Sequence, residues 1–459
     1  MRIIVCGAGQ VGMGIARQLA SEENDVIVID NNPDAIQRVN DTLDVKAIVA
    51  FPSHPNVLED VGAKDADMII AVTLSDEVNM IVCEIAHALF GVPTKIARIR
   101  NQNYLMPAWK DLYRQDHVPI DFIISPEREV AKAIVNRMHV PGAMNMIPFV
   151  DGRVKVIEIR CSRTCGLIGM PLPQVREILL DLNVSIIGLV RGDRIIIPTK
   201  SDVLEPYDAL FFVTDEKDVR AAMKMFGHEE REARRIVIVG AGNIGLYLAE
   251  HLETDYQQVN VKLIEMNRER AEFVASQLNK TIVINGDALD HEILSEANIE
   301  SSETVIAVTN DDEVNIFASL IAKRSGCQRC ITLVNKSTAY STLISTLGID
   351  VVVNPREITV SSILQHVRSG KVRAAYSICG GQAEIIEAEA FEGSSLVGKT
   401  VSALDLPQGV VIGMIARGDK IIVPKDDEMI AEGDRIIVMS LTTQLKKVDK
   451  IFSDRQDYF

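Results

Sequence analysis

Two glycine-rich loops carry the residues of this chain best suited to chemistry. Gly7-Ala8-Gly9-Gln10-Val11-Gly12 returns 233 positions later as Gly240-Ala241-Gly242-Asn243-Ile244-Gly245. The spacing suits a pyrophosphate. The first glycine permits a tight turn, the second lets backbone amides approach phosphate oxygens, and the third lets the next helix pack on the preceding strand. The anion then lies at a helix N-terminus, where unpaired amides and the dipole favour negative charge. An acid follows each loop: Asp30 lies 23 residues after Gly7, and Glu265 lies 25 after Gly240. A carboxylate there can accept both ribose hydroxyls of an adenosine and repels a 2′-phosphate. NAD or NADH is therefore favoured over NADP, and the adenosine of ATP or ADP fits the same place.

The copies differ where the rest of a nucleotide would lie. After the third strand the second half reads Asn285-Gly286-Asp287-Ala288, a small turn suited to close approach by an adenine, where the first half reads Ala50-Phe51-Pro52-Ser53. Phe51 either stacks on the base or fills its pocket. After the fifth strand the first half carries Arg98 and Arg100, set against Thr332 and Val334 in the second. Arginine forks suit phosphate oxygens, although arginines at a strand end also serve simply as surface charge.

Other chemistry is weakly encoded. Cys327-Gln328-Arg329-Cys330 has metal or redox spacing but no second pair to complete a four-ligand zinc site, and Cys161 with Cys165 is weaker still. Asp311, Asp312 and Glu313 suit the first turn of a helix at least as well as they suit a cation. No metal site is expected. Hydride-transferring enzymes set an acid or base from a substrate domain against the nicotinamide. The eight histidines all lie outside the two small lobes described below. No catalytic residue is assigned, and the chain is expected not to be an enzyme.

The elements that must hold these residues also repeat. In the first half, apolar runs at Ile3 to Val5, Val26 to Ile29, Lys46 to Ala50, Met68 to Val72, Lys95 to Ile99 and Phe122 to Ile124 predict six mostly parallel strands. Helical stretches such as Met13 to Ser21 and Glu77 to Phe90 separate them. The second half repeats the series from Ile236 to Val353, and Val72-Thr73-Leu74-Ser75-Asp76-Glu77-Val78-Asn79 matches Val308-Thr309-Asn310-Asp311-Asp312-Glu313-Val314-Asn315. Each sixth strand runs into a proline-led charged helix, at Pro126 and at Pro355.

A smaller lobe follows each helix. Its four predicted strands are Val154 to Cys161, Val184 to Val190, Arg194 to Ile197 and Ala209 to Val213, then Ala383 to Glu389, Val410 to Ile415, Lys420 to Val423 and Arg435 to Met439. The turns Arg191-Gly192-Asp193 and Arg417-Gly418-Asp419 correspond. The fold class is therefore α/β: two tandem Rossmann-like, doubly wound parallel-sheet domains, each followed by a small α+β lobe. The boundaries are 1–125 for the first Rossmann lobe, 126–226 for its crossover helix and small lobe, 227–235 for a charged linker that includes Arg231, 236–354 for the second Rossmann lobe and 355–459 for its crossover helix and small lobe.

Composition narrows the function. A chain of 459 residues is too long for one core. Its net charge of −16 argues against nucleic acid, whose phosphates need a basic face, and against lodging on anionic lipid. No apolar run approaches the roughly 20 residues of a membrane-spanning helix, and the first strand begins at once, which leaves no room for a signal peptide. The expected place is the cytoplasm. The seven scattered cysteines read as reduced thiols.

On these residues the chain resembles the RCK/KTN family, regulators of potassium conductance, in its two-copy form belonging to Trk-type potassium uptake. The resemblance covers essentially the full length. It rests on the duplicated loop, Ala66-Asp67-Met68-Ile69-Ile70-Ala71-Val72-Thr73, Ala97-Arg98-Ile99-Arg100, and the large-lobe, small-lobe order. It implies a regulatory subunit, peripheral on the inner face of the cell membrane, whose Rossmann lobes form a ring beneath an integral membrane potassium transporter, the Trk-type translocating subunit. Such rings hold eight lobes, so a two-copy chain is expected as a homotetramer. Nicotinamide and adenine nucleotides, NAD/NADH and ATP/ADP, would change the ring and gate the pore.

Carried over by residue, Gly7 to Gly12, Asp30, Thr73, Leu74 and Arg98 form a first site. Gly240 to Gly245, Glu265, Asp287, Thr309 and Asn310 form a second, with Ala288 in the same turn. The chain departs from the family at Phe51, commonly glycine, and at Leu74, commonly asparagine; Asn310 keeps the amide. An NAD-dependent oxidoreductase and a soluble redox sensor are the alternatives.

Overall fold

The computed structural model describes residues 1–22, 24–163, 165–180, 182–192, 194–199, 201–230, 232–256, 258–335, 347–367 and 372–452. Asp193 of the first small-lobe turn and Arg231 of the charged linker lie outside the described residues.

The first sheet has six strands, β1 (Arg2–Cys6), β2 (Asp25–Asp30), β3 (Lys46–Val49), β4 (Met68–Ala71), β5 (Thr94–Arg98) and β6 (Phe122–Ile124). Their order is β3-β2-β1-β4-β5-β6 with every pair parallel. Strands covered by helices on both faces need unbroken apolar runs rather than alternation, and Ile3, Ile4 and Val5 are completely buried. The helix Gln10–Ser21 turns Gly12, Ile15, Ala16 and Leu19 inward, the spacing of one helical face.

The next sheet is antiparallel, with β7 (Ala143–Phe149), β8 (Val154–Arg160), β9 (Val184–Arg191), β10 (Arg194–Ile196) and β11 (Ala209–Asp215) in the order β10-β9-β11-β8-β7. A second parallel sheet contains β12 (Arg235–Val239), β13 (Asn260–Glu265), β14 (Ile282–Asn285), β15 (Thr304–Ala307), β16 (Arg329–Leu333) and β17 (Val351–Val353). Its order, β14-β13-β12-β15-β16-β17, repeats the first. The last sheet, β18 (Val372–Ile378), β19 (Ala383–Glu389), β20 (Val410–Arg417), β21 (Lys420–Ile422) and β22 (Arg435–Leu441), runs β18-β19-β22-β20-β21.

Among the described residues each small sheet thus has five strands where four were expected. β7 and β18 were missed because their sequences, Ala-Met-Asn-Met-Ile-Pro-Phe and Val-Arg-Ala-Ala-Tyr-Ser-Ile, hide the alternation behind small and polar residues. Pro148 is tolerated on β7 because that strand is the edge of its sheet.

Two compact units arise, and each draws on both halves of the chain. Among the described residues, the first comprises those of 1–129, 356–385 and 442–452, and the second those of 130–355 and 386–441. In the first unit Ile363, Leu364 and Val367, beyond the second Rossmann sheet in sequence, join the core formed by Ile3, Val5, Ile15 and Leu19. The His366 ring stacks on Phe122 with centroids 4.0 Å apart. In the second unit the crossover segment after Val130 meets the second Rossmann sheet, where Arg329 donates to the carbonyl of Arg137 at 3.0 Å. Among the described residues, no helix is long and apolar enough to cross a membrane.

Candidate functional site

The glycine loops show why their residues are required. Gly7 and Gly240 adopt φ of +115° and +101°, and a Cβ on Gly7 would come within 2.9 Å of the Val72 carbonyl. A Cβ on Gly12 would sit 1.8 Å from the Gly7 oxygen, and on Gly245 1.9 Å from the Gly240 oxygen. Gly9 and Gly242, by contrast, face open space at the N-cap of their helices, with no side chain capping the free amides. Gln10 and Asn243 begin those helices exposed, whereas Ala8 and Ala241 are buried.

The two acids hold the loops. Asp30 accepts the Ala8 amide on Oδ2 at 2.6 Å and the Asn32 amide on Oδ1 at 2.8 Å. Glu265 accepts Ala241 and Asn267 in the same way, both at 2.8 Å. A carboxylate offers about four acceptor positions, so room for ribose hydroxyls remains after these two bonds.

A cleft of about 580 Å³ opens at the carboxyl ends of β1, β2 and β4, lined by Gly7, Gly9, Gln10, Val11, Asp30, Phe51, Thr73, Leu74 and Arg98. Its size falls within the usual range of small-molecule sites, and its place is the crevice at which doubly wound sheets bind ligands. Arg98 is 9% exposed and donates through Nη2 to the Thr73 carbonyl at 2.5 Å, while its Nε has no partner. Burial, and then the like charge of Arg100, hold its guanidinium below the ordinary arginine value. Among the described residues no carboxylate pairs with it. A buried guanidinium with no carboxylate partner, facing a cleft, has the chemistry to receive an anion.

Arg100 is not brought into that cleft. Its Nε pairs with Glu127 at 2.9 Å, and its amide donates to both oxygens of Asp76 at 3.0 Å. Leu74 is 88% exposed. Phe51 is exposed at the rim with its ring stacked 5.2 Å from His54, so it does not fill the cleft.

The strand register corrects two pairings between the copies by one residue. Ala50 and Gly286 make the same bond, to the carbonyls of Asp30 at 2.9 Å and Glu265 at 3.0 Å. Phe51 therefore corresponds to Asp287, and Pro52 to Ala288. Likewise the Asn79 side chain donates to the carbonyl of Arg98, and that of Asn315 to the carbonyl of Leu333. Arg98 thus stands against Leu333 and Arg100 against Asn335. A slip of one residue also exchanges strand faces, which is why apolar runs alone could not fix the match.

In the second half, Asp287 accepts the Leu289 amide at 2.9 Å, and Thr309 donates through both its amide and its hydroxyl to Asn315. Asn310 is exposed, Ile244 partly buried and Ala288 buried. Asp311 caps its helix by accepting the Val314 amide at 2.9 Å, and Asp312 holds the Asn335 amide at 2.8 Å.

Four site residues escaped the sequence reading. Asn79 and Asn315 are fully buried and tie the loop after the fourth strand to the end of the fifth; their repetition at matched positions was the available signal. Arg270 donates to the Ala241 carbonyl at 2.7 Å, which brings a guanidinium to the second glycine loop from a helix. Arg356 donates to Gln10 at 2.5 Å, and nothing in local spacing links residues so far apart.

The model of the TrkA-N domain matches residues 3–126 and again 236–355, and that of the TrkA-C domain matches 156–227 and 385–453. The chain is similar to the Trk system potassium uptake protein TrkA of Azorhizobium caulinodans, 44% identical over 459 residues and covering 100% of both chains. To the protein of that name in Halomonas elongata it is 41% identical over 430 residues, 93% of each. Among solved structures, the GsuK channel bound to NAD shares the fold with a TM-score of 0.60 at 22% identity, over 98% of this chain and 78% of that one. The chain belongs to the TrkA family of Trk system potassium uptake proteins, in which the TrkA-N and TrkA-C domains here occur twice.

Proposed function

We propose that the chain is a nucleotide-responsive regulatory subunit, with NAD(H) and adenine nucleotides binding in its Rossmann lobes and altering transport through a Trk-type membrane translocating subunit. The observation that carries this is the first cleft, where an open glycine loop, the anchored Asp30 and the unpaired Arg98 guanidinium meet. Gly7 to Gly12, Asp30, Thr73, Leu74 and Arg98 form the first site. Gly240 to Gly245, Glu265, Asp287, Ala288, Thr309 and Asn310, with Arg270, form the second. Arg100 acts on the first site only through Arg98. The nucleotide lobes are 1–125 and 236–354, and their small lobes end at 226 and 459.

The chain works as a signal reader rather than an enzyme, at the cytoplasmic face of the membrane, as a tetramer whose ring changes with the bound nucleotide. A ligand shifts such an equilibrium only by its different affinities for the two states, typically by about 1–3 kcal/mol of coupling. The test is potassium flux through the translocating subunit in vesicles with this chain added. Flux should change when NADH replaces ATP; flux indifferent to both nucleotides would refute the proposal.

A further inference from the structure

The strand order gives the first cleft a direction. Arg98 ends β5, the glycine loop follows β1, Asp30 ends β2 and Phe51 follows β3, and these strands lie side by side as β3-β2-β1-β4-β5. A nucleotide with its phosphates at the glycine loop and its ribose on Asp30 therefore carries its base to the β3 side. That end of the cleft is lined by Phe51, Pro52 and Ser53 and, from the helix Pro33–Thr42, by Ala35 and Arg38.

This end can grip the face of a base and has little with which to read its edge. Ala35 and Arg38 are three residues apart and share a helix face, and the exposed Arg38 side chain makes no hydrogen bond or ion pair among the described residues. His54 stacks on Phe51 at 5.2 Å but does not line the cleft, so it braces the ring from outside. An aromatic ring and a guanidinium hold any purine by its π-face. Asp30 is the one acid among the lining residues, and it already holds the Ala8 and Asn32 amides. The Ser53 hydroxyl and the Asn31 amide, which also line the cleft, can each donate or accept, and so suit an amino or an oxo group alike.

The second site exchanges these roles. Asn32 and Asn267 each cap a helix, and six residues further on stand Arg38 and Phe273. The aromatic ring has thus moved from the turn to the helix, with the Arg270 guanidinium 5.1 Å from its centroid. The turn carries Asp287 where the first half has Phe51. Asp287 accepts the Leu289 amide on Oδ1 and is exposed. A carboxylate only accepts, and so calls for a donor on the base edge.

We propose that the first site holds its base by the ring face alone and takes 6-oxopurine nucleotides as readily as adenine nucleotides, whereas the second selects the 6-amino group through Asp287. This rests on the nucleotide-binding role proposed above and adds which bases each site admits. Phe51 is the residue that sets the tolerance of the first.

Hydrogen exchange of the full-length chain is followed by mass spectrometry at residues 7–21 and 240–255, each a glycine loop with its helix. The titrants are ATP, inosine triphosphate and purine riboside triphosphate, which carry an amino group, an oxo group and no substituent at position 6. Half-protection of 7–21 should come within about threefold for all three, as stacking is indifferent to the edge. Half-protection of 240–255 should need at least about tenfold more purine riboside triphosphate than ATP, the scale of a hydrogen bond to a charged group. Asp287→Ala should remove that difference. Phe51→Ala, at an exposed position, should weaken the first site for all three by about tenfold or more. The inference alone is overturned if ATP protects 7–21 at much lower concentration than the other two, if Phe51→Ala leaves half-protection unchanged, or if the second site does not tell purine riboside triphosphate from ATP. Protection of neither segment by ATP would refute the nucleotide-binding role itself, and this inference with it.

Discussion

Asn79 and Asn315 do the same work at matched places, each fully buried and each joining the loop after one strand to the carbonyl end of the next. Asn79→Ala leaves the Thr73 amide and the Arg98 carbonyl without this partner. Unsatisfied buried groups cost about 1–3 kcal/mol each, so the variant should lose at least about 2 kcal/mol in denaturant unfolding; a loss below about 0.5 kcal/mol would contradict the network. Arg98→Gln keeps the packing but removes a charged donor. Binding of an anionic nucleotide to the first half should weaken about ten- to a hundredfold, the scale of a charged hydrogen bond, and unchanged affinity would show that the guanidinium faces no phosphate. At this scale the glycines and both acids were legible, because spacing alone constrains a turn and a close approach. Asn79 was not, since a buried asparagine reads in sequence like any polar helix residue. Phe51 and Arg98 were matched one position out, because the slip shows only in the hydrogen bonds.

At the scale of elements, the helix Asn243–Asp255 is fastened to the segment before β14 by Glu253. Burial opposes its ionisation, yet hydrogen bonds from the amides of Asn279, Lys280 and Thr281 outweigh it and hold the carboxyl below the usual range. A depressed folded-state value stabilises above the unfolded carboxyl value of about 4.3 and loses that contribution as pH falls below it. The parent chain should therefore lose stability more steeply on acidification than Glu253→Gln; equal slopes below about pH 5 would dismiss the fastening. The parallel strands were legible from their apolar runs and matched within a residue or two at each end. The edge strands β7 and β18 were not, because an edge tolerates polar residues and proline. Nor could spacing reveal that Ile363, Leu364 and Val367 complete the core of the first Rossmann lobe, since tertiary packing across several hundred residues leaves no local pattern.

For the molecule as a whole, the repeat is unequal. The first half places Arg98 over its cleft, while the second has Leu333 at that position and draws Arg270 from a helix instead. The contact of Arg356 with Gln10 makes the first loop answerable to a residue of the second half. On the proposed function, two nucleotide sites with different preferences are expected, in a chain whose relatives are named potassium uptake proteins. The most direct measurement is calorimetric titration of the full-length chain with NADH and with ATP, in parallel with Asp30→Ala and Glu265→Ala. Saturable binding is predicted, with each substitution removing part of it and the two parts differing in nucleotide preference. No detectable binding of either nucleotide to the unaltered chain would contradict the account.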